Sequence, residues 1–437
     1  MLHKIGIRQE NKDTTEKRAP LTPRQVRQLI EKDGLQVVVE PASNRIFGDQ
    51  EYQDAGATIS RDLSDCNIIF GVKEIPIPDF LPKQHYCFFS HTIKGQTYNM
   101  PMLKYILDLR TTLIDYEKVT DSQGRRLIFF GRFAGYAGMI DSLWAFGQRL
   151  QWEGIATPFS DIRQALHYHS LTEAKESVRA VGERIKAEGL PASLTPLTCG
   201  FAGYGHVSQG AQEIFDLLPV ETILPGELEQ FMKNENYTDK RVYKVVFKES
   251  DIVTPKSETV QFELQDYYDH PEKYIGRFES YLPHLTLLIN GIYWEPRYPK
   301  LVTIKYLRRL FESGQISRLR VIGDITCDVE GSIECNLKAT NSENPIYVYD
   351  PIQETIKDGY EGNGVVVLAV DKLPSELPRE ASQSFGEALL PFVPELASCN
   401  FGLPYEKLNI PAEFRRAVIA HYGFLTPDFK YLEKYIK

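Results

Sequence analysis

The stretch Leu197-Thr-Cys-Gly-Phe-Ala-Gly-Tyr-Gly-His-Val-Ser-Gln-Gly-Ala-Gln-Glu-Ile-Phe215 constrains the fold more than any other part of the chain. It reads as an apolar strand, a glycine turn and a helix, the opening unit of a parallel α/β sheet. Gly203 allows the tight turn, and Gly205 lets backbone approach a pyrophosphate. The helix that follows turns its unpaired N–H groups toward such a phosphate. Ser208 stands where a G-x-G-x-x-G pattern has its third glycine, and the next glycine is Gly210. In this setting the segment points to a dinucleotide site containing Gly203, Gly205 and Ser208; an ordinary βα turn is the plainer alternative. The next strand is expected at Val220–Leu224 and ends in Leu224-Pro225-Gly226, with no carboxylate at its end. A 2′-phosphate would not be repelled there, which favours NADP(H) and leaves NAD(H) admissible.

At 437 residues the chain exceeds the roughly 250–300 at which a single core splits, so two domains are expected. Apolar residues at 42% and charged residues at 25% exclude a disordered chain or a fibre. A formal charge of −9 argues against a nucleic-acid footprint. No run approaches the roughly 18–20 apolar residues of a membrane span, and the N-terminus turns polar too soon for a secretory signal. The six cysteines lack any C-x-x-C pair or zinc-like spacing. They read as reduced thiols in the cytoplasm or a similar compartment, and no metal site is expected.

Short apolar strands alternate with helices through the first third, which predicts parallel βαβ units. Strands are expected at His3–Arg8, Leu35–Glu40, Asn67–Gly71, Tyr86–Ser90 and Thr112–Asp115. Thr22 caps a helix with Pro23 at its first position and Gly34 just past its end. Lys118–Phe130 reads as a hairpin turning at Asp121–Gly124, and Ala134–Gly154 as a long helix joining two domains. The polar, Tyr-rich segment Glu227–Gly276 reads as an insertion. Ile346–Tyr349 and Val365–Val370 read as strands, and Pro411–His421 as a helix.

Several charged residues stand where strands stop. Lys73 and Glu74 follow Asn67–Val72, and His91 follows Tyr86–Ser90. The carboxyl ends of parallel strands are where ligands bind, and Lys and His can both move protons near neutrality. A surface Lys–Glu pair and a His that simply ends a strand is the plainer reading. Arg18 lies in the loop after the first strand, and Arg125 and Arg126 lie in the hairpin beyond Glu117. Guanidinium groups suit substrate carboxylates, although a solvated turn is the commoner fate of a single Arg.

Thr15–Pro23, Val72-Lys-Glu74 and Phe89-Ser-His91 resemble the N-terminal domain shared by alanine dehydrogenase, transhydrogenase and saccharopine dehydrogenase. Phe88–Lys94, Leu113–Lys118, Ala134–Met139, Gly203–Ala211, Leu288–Glu295, Gly331–Glu334 and Leu373–Ala381 are similar to the lysine–2-oxoglutarate reductase domain of the bifunctional lysine-degrading enzyme. The resemblance runs from Ile5 to about Leu396, and the chain looks like that reductase half standing alone. It implies an α/β fold of two Rossmann-like domains, parallel sheets flanked by helices, with a cleft between them. The first domain is discontinuous: residues 1–134 and 331–437 would bind substrate. Residues 135–330 would bind the dinucleotide and carry the insertion at about 227–276.

The reaction implied is condensation of L-lysine with 2-oxoglutarate and reduction of the imine by NADPH to saccharopine. Lys73 and His91 would be the acid–base pair, with Glu74 and Glu117 flanking them. Arg18 and Arg126 would hold substrate carboxylates, Phe130 would line the pocket, and Asp324 would lie near the nicotinamide end of the cofactor. The expected partners are these small molecules and a second copy of the chain, not nucleic acid or membrane. The alternatives are an alanine dehydrogenase-like or other opine-forming oxidoreductase, or a nucleotide-binding protein without catalysis.

Overall fold

The computed structural model describes residues 3–13, 15–313 and 318–436. The chain forms two compact units, Met1–Phe130 with Pro378–Lys437, and Gly131–Leu377. In chain order the first unit opens with β1 (Lys4–Ile7), β2 (Gln36–Val39), β3 (Thr58–Ile59), β4 (Ile68–Phe70), β5 (His85–Phe88) and β6 (Thr112–Asp115). The second unit holds β7 (Leu197–Ala202), β8 (Val220–Thr222), β9 (Val242–Phe247), β10 (Val253–Pro255), β11 (Tyr274–Gly276) and β12 (Leu287–Asn290). It continues with β13 (Val321–Asp324), β14 (Ile346–Asp350), β15 (Thr355–Asp358) and β16 (Val365–Leu368). Back in the first unit lie β17 (Val418–His421) and β18 (Phe424–Leu425).

The first unit's sheet runs β18-β17-β6-β5-β4-β1-β2-β3. Strands β1 to β6 are all parallel, and β17 and β18 close one edge antiparallel. The central strands are short, apolar and buried on both faces, as parallel strands between helices must be. The helix Pro23–Asp33 forms where the sequence marks it. The Thr22 hydroxyl accepts from the Gln25 N–H, the Gln25 side chain accepts from the Thr22 N–H, and Gly34 ends the helix at φ +65°. The expected hairpin at Lys118–Phe130 is reduced to one bridge, Thr120 with Arg126, around the Asp121–Gly124 turn. Only Ala412–Arg415 of the expected helix at Pro411–His421 is helical; Val418–His421 instead pairs with β6 and covers its open edge.

The second unit's sheet runs β15-β14-β16-β13-β12-β7-β9-β8. It corrects two expectations. The segment read as an insertion supplies β9, which pairs with the glycine-turn strand β7 in parallel from Leu197↔Val242 to Ala202↔Phe247, so this part of it belongs to the sheet core. The chain does not return to the first unit near Gly331. Val365–Leu368 pairs in parallel with β13, and Ile346–Asp350 pairs antiparallel with β16, so residues 331–377 extend the second sheet. The return falls at Pro378.

The helix Gly131–Trp152 is buried along much of its length and crosses the helix His206–Phe215 at backbone contact. A Cβ on Gly135 would sit 2.0 Å from the Val207 carbonyl oxygen, and one on Gly210 would sit 2.2 Å from that of Arg132. Only glycine lets these two backbones approach so closely. The crossing fixes the helix that starts at the glycine turn.

Candidate functional site

Loops from the carboxyl ends of β1, β4, β5 and β6 share one edge of the first sheet. Strand order reverses there, between β1 and β4, at the position where open parallel sheets bind ligands. The β1 loop brings Glu10, Lys12, Glu16 and Arg18, and the β4 loop brings Lys73 and Glu74. His91 follows β5, and Glu117 follows Asp115 at the end of β6.

Glu10 is buried, and its carboxylate accepts from the backbone N–H groups of Val72 at 2.7 Å and Lys73 at 2.9 Å. It thereby ties the turn carrying Lys73 to the β1 loop. Burial pushes its pKa up, against the pull of Arg8 and those two N–H groups. Glu16 and Arg18 form a buried bidentate pair, Nε to Oε1 at 2.7 Å and Nη2 to Oε2 at 2.6 Å. Burial works to raise the Glu16 carboxyl, but Arg18 and the Lys73 charge outweigh it and hold it below the ordinary value. The Arg18 guanidinium lies over the Phe130 ring, 4.2 Å from its centroid.

His91 adopts φ +48°, an uncommon left-handed conformation for a residue with a side chain. Its Nδ1 lies 2.8 Å from Glu74 Oε1, and Lys12 Nζ lies 2.9 Å from the same oxygen. Asn99 donates to the Ser90 carbonyl at 3.0 Å and more loosely to Glu74 at 3.4 Å. Burial works against the ionised Glu74, yet the bonds from His91 and Lys12 hold its pKa well below the ordinary range. Arg126 pairs with the Glu117 carboxylate and donates to the Glu117 carbonyl at 3.1 Å. Asp115, fully buried, accepts from the Ser90 N–H at 3.1 Å and from its hydroxyl; burial, aided by the charge of Glu117, pushes its pKa up.

Lys73, Glu74, His91, Arg18, Glu117, Arg126 and Phe130 therefore all belong to the first unit and lie in the loops of this one edge. Sequence reasoning gave no role to Glu10, Lys12, Glu16, Asn99 and Asp115. Glu10, Lys12 and Glu16 carry one legible signal, a place in the loop after β1, and Asp115 closes β6; charged residues are ordinarily exposed, and nothing in a lone sequence marks which are not or singles out Asn99.

The second unit has its own site. Gly203 turns at φ +94°, its N–H bonds to the Phe247 carbonyl at 3.0 Å, and Gly205 caps the helix His206–Phe215. A Cβ on Gly205 would meet nothing within 4 Å, so the backbone here faces open space. A cavity of about 510 Å³ opens on these glycines, lined also by Tyr204, Phe247, Glu249, Tyr268, Tyr293, Trp294 and Arg297. Open glycine backbone, a helix N-terminus and an aromatic-walled cavity fit a dinucleotide.

Ser208 and Asp324 do not line this cavity. Ser208 is buried and accepts from Gln212 at 3.0 Å. Asp324 is buried under three donors, Asn290 at 2.8 Å, Thr326 at 2.7 Å and Asn336 at 2.7 Å, and burial pushes its pKa up to about 6. It braces the loops beyond β12 and β13. The expectation of NADP(H) took Val220–Leu224 as the next strand, but the strand beside β7 is β9, which ends at Phe247 and is followed at once by Lys248 and Glu249. Glu249 lines the cavity and accepts from the Tyr268 hydroxyl at 2.7 Å, so a carboxylate does stand two residues past the strand.

Residues 6–137 match the family model described as alanine dehydrogenase/PNT, N-terminal domain, and residues 277–426 match its C-terminal domain. The chain is 41% identical to alpha-aminoadipic semialdehyde synthase of Arabidopsis thaliana, over 98% of this chain and 41% of that one. It is 38% identical to the mitochondrial alpha-aminoadipic semialdehyde synthase of Bos taurus, over 98% of this chain and 47% of that one. It thus spans less than half the length of these relatives. Saccharopine dehydrogenase (NAD(+), L-lysine-forming) of Emericella nidulans is 27% identical, over 90% of this chain and 92% of that one. Among solved structures, an L-alanine dehydrogenase shares the fold with TM-score 0.62 and 19% identity, covering 99% of this chain and 100% of that one. A transhydrogenase from Sinorhizobium meliloti does so with TM-score 0.57 and 16% identity, covering 97% of this chain and all of that one. Among the described residues, no helix is long and apolar enough to cross a membrane.

Proposed function

The chain belongs to the alanine dehydrogenase/PNT family, and from that premise we propose that it condenses L-lysine with 2-oxoglutarate and reduces the imine to saccharopine. The name of one relative, saccharopine dehydrogenase (NAD(+), L-lysine-forming), supports lysine and saccharopine as the amino acids on either side of the reaction. The observation that carries the proposal is the first unit's edge, where a His–Glu pair, Lys73 and two arginines stand together in four adjoining loops.

The condensation moves protons at every step except hydride transfer. The lysine ε-amine must lose a proton to attack the ketone, and the carbinolamine must gain one to expel water. His91 suits this work. A ring nitrogen facing a carboxylate carries hydrogen, so Nδ1–H donates to Glu74 and Nε2 is left to exchange protons with substrate. Lys73 is the second acid–base group, with its backbone N–H held on Glu10. Arg126 and Arg18 take substrate carboxylates, and the Phe130 ring walls the aliphatic stem. Gly203, Gly205 and the first turn of the helix His206–Phe215 hold the pyrophosphate of the dinucleotide. Bound there, the nicotinamide supplies the hydride.

The choice between NADP(H) and NAD(H) turns on two neighbours of opposite charge. Lys248 would pair with a 2′-phosphate, and Glu249 would accept from a 2′-hydroxyl. NADP(H) remains the proposed reductant on the strength of Lys248. Lys248→Ala then shifts preference toward NADH, and Glu249→Gln shifts it toward NADPH. Six free cysteines, five of them buried, support a reducing compartment such as the cytoplasm.

The test is NADPH oxidation at neutral pH with lysine and 2-oxoglutarate, together and singly, repeated with NADH. Oxidation only in the presence of both substrates is the expected result. No turnover, in protein shown to bind nucleotide, refutes the lysine assignment.

A further inference from the structure

The helix Pro378–Leu389 belongs to the segment that returns to the first unit, and neither the reaction chemistry nor the strand-end loops give it a role. Two side chains on one of its faces nevertheless reach Arg18 by separate routes. The Ser382 hydroxyl, fully buried, accepts from the backbone N–H of Ala19 at 2.9 Å and donates to the Pro378 carbonyl at 2.6 Å. Ala19 is the residue next to Arg18, so this bond fixes the main chain there. Phe385, three residues further along the same face, stacks on Phe130 with centroids 4.7 Å apart and planes 12° from parallel. The Phe130 ring also carries the Arg18 guanidinium, at 4.2 Å, and meets Phe89 more loosely, tilted at 6.1 Å.

The result is a three-layer stack of Arg18, Phe130 and Phe385. Arg18 is gripped at Nε and Nη2 by Glu16, along its backbone by way of Ser382, and on its flat face by Phe130. Phe130 is only partly buried, so its orientation depends on the ring behind it. Phe385 is 1% exposed and is itself held by Tyr116, edge-on at 4.9 Å. A planar neighbour at stacking distance fixes the tilt of a ring in a way that an aliphatic side chain of equal volume does not.

We infer that Phe385 and Ser382 are positioning residues for the oxo-acid carboxylate, acting through Arg18 and Phe130 from a helix that touches no substrate. The inference rests on the proposed reaction and on Arg18 holding a carboxylate in it.

The test compares Phe385→Met, which keeps volume and loses the flat face, with Ser382→Ala, alone and in an Arg18→Ala background. The readouts are kcat, the KM for 2-oxoglutarate and the Kd for NADPH, which reports on the other unit. Phe385→Met is expected to raise that KM about tenfold, with kcat within about threefold and the NADPH Kd unchanged. Ser382→Ala is expected to act in the same direction, and it carries the test alone if the methionine variant does not fold. In the Arg18→Ala background neither substitution is expected to raise KM further, because the residue they position is gone. An unchanged KM, an equal rise in both backgrounds, or a fall in kcat alone overturns the inference and leaves the reaction standing. Failure of the wild-type protein to oxidise NADPH with lysine and 2-oxoglutarate overturns the reaction, and the inference with it.

Discussion

Asp141 and Glu376 are two carboxyls the proposed chemistry does not use, and both are buried in the second unit, at 0% and 4% exposure. Asp141 lies in the helix Gly131–Trp152, and Glu376 lies just before the chain leaves this unit at Leu377. Asp141 Oδ1 accepts from the Ala165 N–H at 2.7 Å, and Glu376 lies against it with both carboxyl oxygens buried and given no donor among the described residues. Burial pushes both carboxyls up, and the Asp141 charge raises Glu376 further, so the pair keeps a proton above the ordinary carboxylate range. Glu376→Gln replaces the acid by a neutral amide of nearly the same shape, which cannot ionise beside Asp141.

Below pH 4.5, the ordinary Glu value, folded and unfolded wild-type chains both keep the proton, and the substitution has little effect. Above it the unfolded chain ionises while the folded one does not. Wild-type stability then falls by about 1.4 kcal/mol per pH unit until the folded pKa is passed. Each pH unit within that interval puts the variant ahead by about 1.4 kcal/mol, or about 3–6 °C in Tm for a unit of this size. Calorimetric Tm of both proteins from pH 4 to 8 checks it. Parallel curves across that range would falsify the shared-proton reading.

Lys73→Met should lower kcat by about a hundredfold or more while the NADPH Kd holds, and turnover within a few-fold of wild type would remove Lys73 from the chemistry. Arg126→Ala should raise the KM for 2-oxoglutarate about tenfold or more. Glu117→Gln, which frees Arg126 from its competitor, should leave that KM equal or lower; steady-state kinetics on the pair decides between them. Gly210→Ala drives a Cβ to 2.2 Å from the Arg132 carbonyl oxygen and should destabilise the second unit by about 3 kcal/mol in urea unfolding; a loss under about 0.5 kcal/mol would mean the helix crossing is slack.

The sequence shows its local signals plainly. Thr22, Pro23 and Gly34 bound a helix because a cap, a fixed φ and a left-handed stop act within a few residues. Lys73 and His91 stand out because apolar runs end on them. Pairing partners are another matter. Val242–Phe247 carries a lysine and lies among polar residues, and only the sheet shows that it borders the glycine strand. Val365–Leu368 could serve either sheet, since an apolar run of four states that it is buried but not where. The buried acids Glu10, Asp141 and Glu376 were illegible for a related reason. A carboxylate's default is solvent, and its exception is set by neighbours distant in the chain. The charged site residues followed from a resemblance, and the geometry brings the first-unit set to one sheet edge.

The two arginines expected to hold carboxylates differ in how they can do so. Arg18 is 3% exposed and bound through two nitrogens to Glu16, itself 2% exposed. Breaking a buried pair by removing one partner costs about 3–5 kcal/mol, so substrate binding that displaced Glu16 would begin at a large deficit. On the proposed function Arg18 would be a preset group, meeting a carboxylate with its remaining Nη1 while Glu16 and Phe130 hold it still. Arg126 is 44% exposed, and its partner Glu117 is 15% exposed. A pair so open to water is worth about 1 kcal/mol or less, and a substrate carboxylate can take Glu117's place at little cost. On the proposed function one arginine would supply fixed geometry and the other an exchangeable charge. By that division the helix behind Phe130 would bear on the first and not on the second.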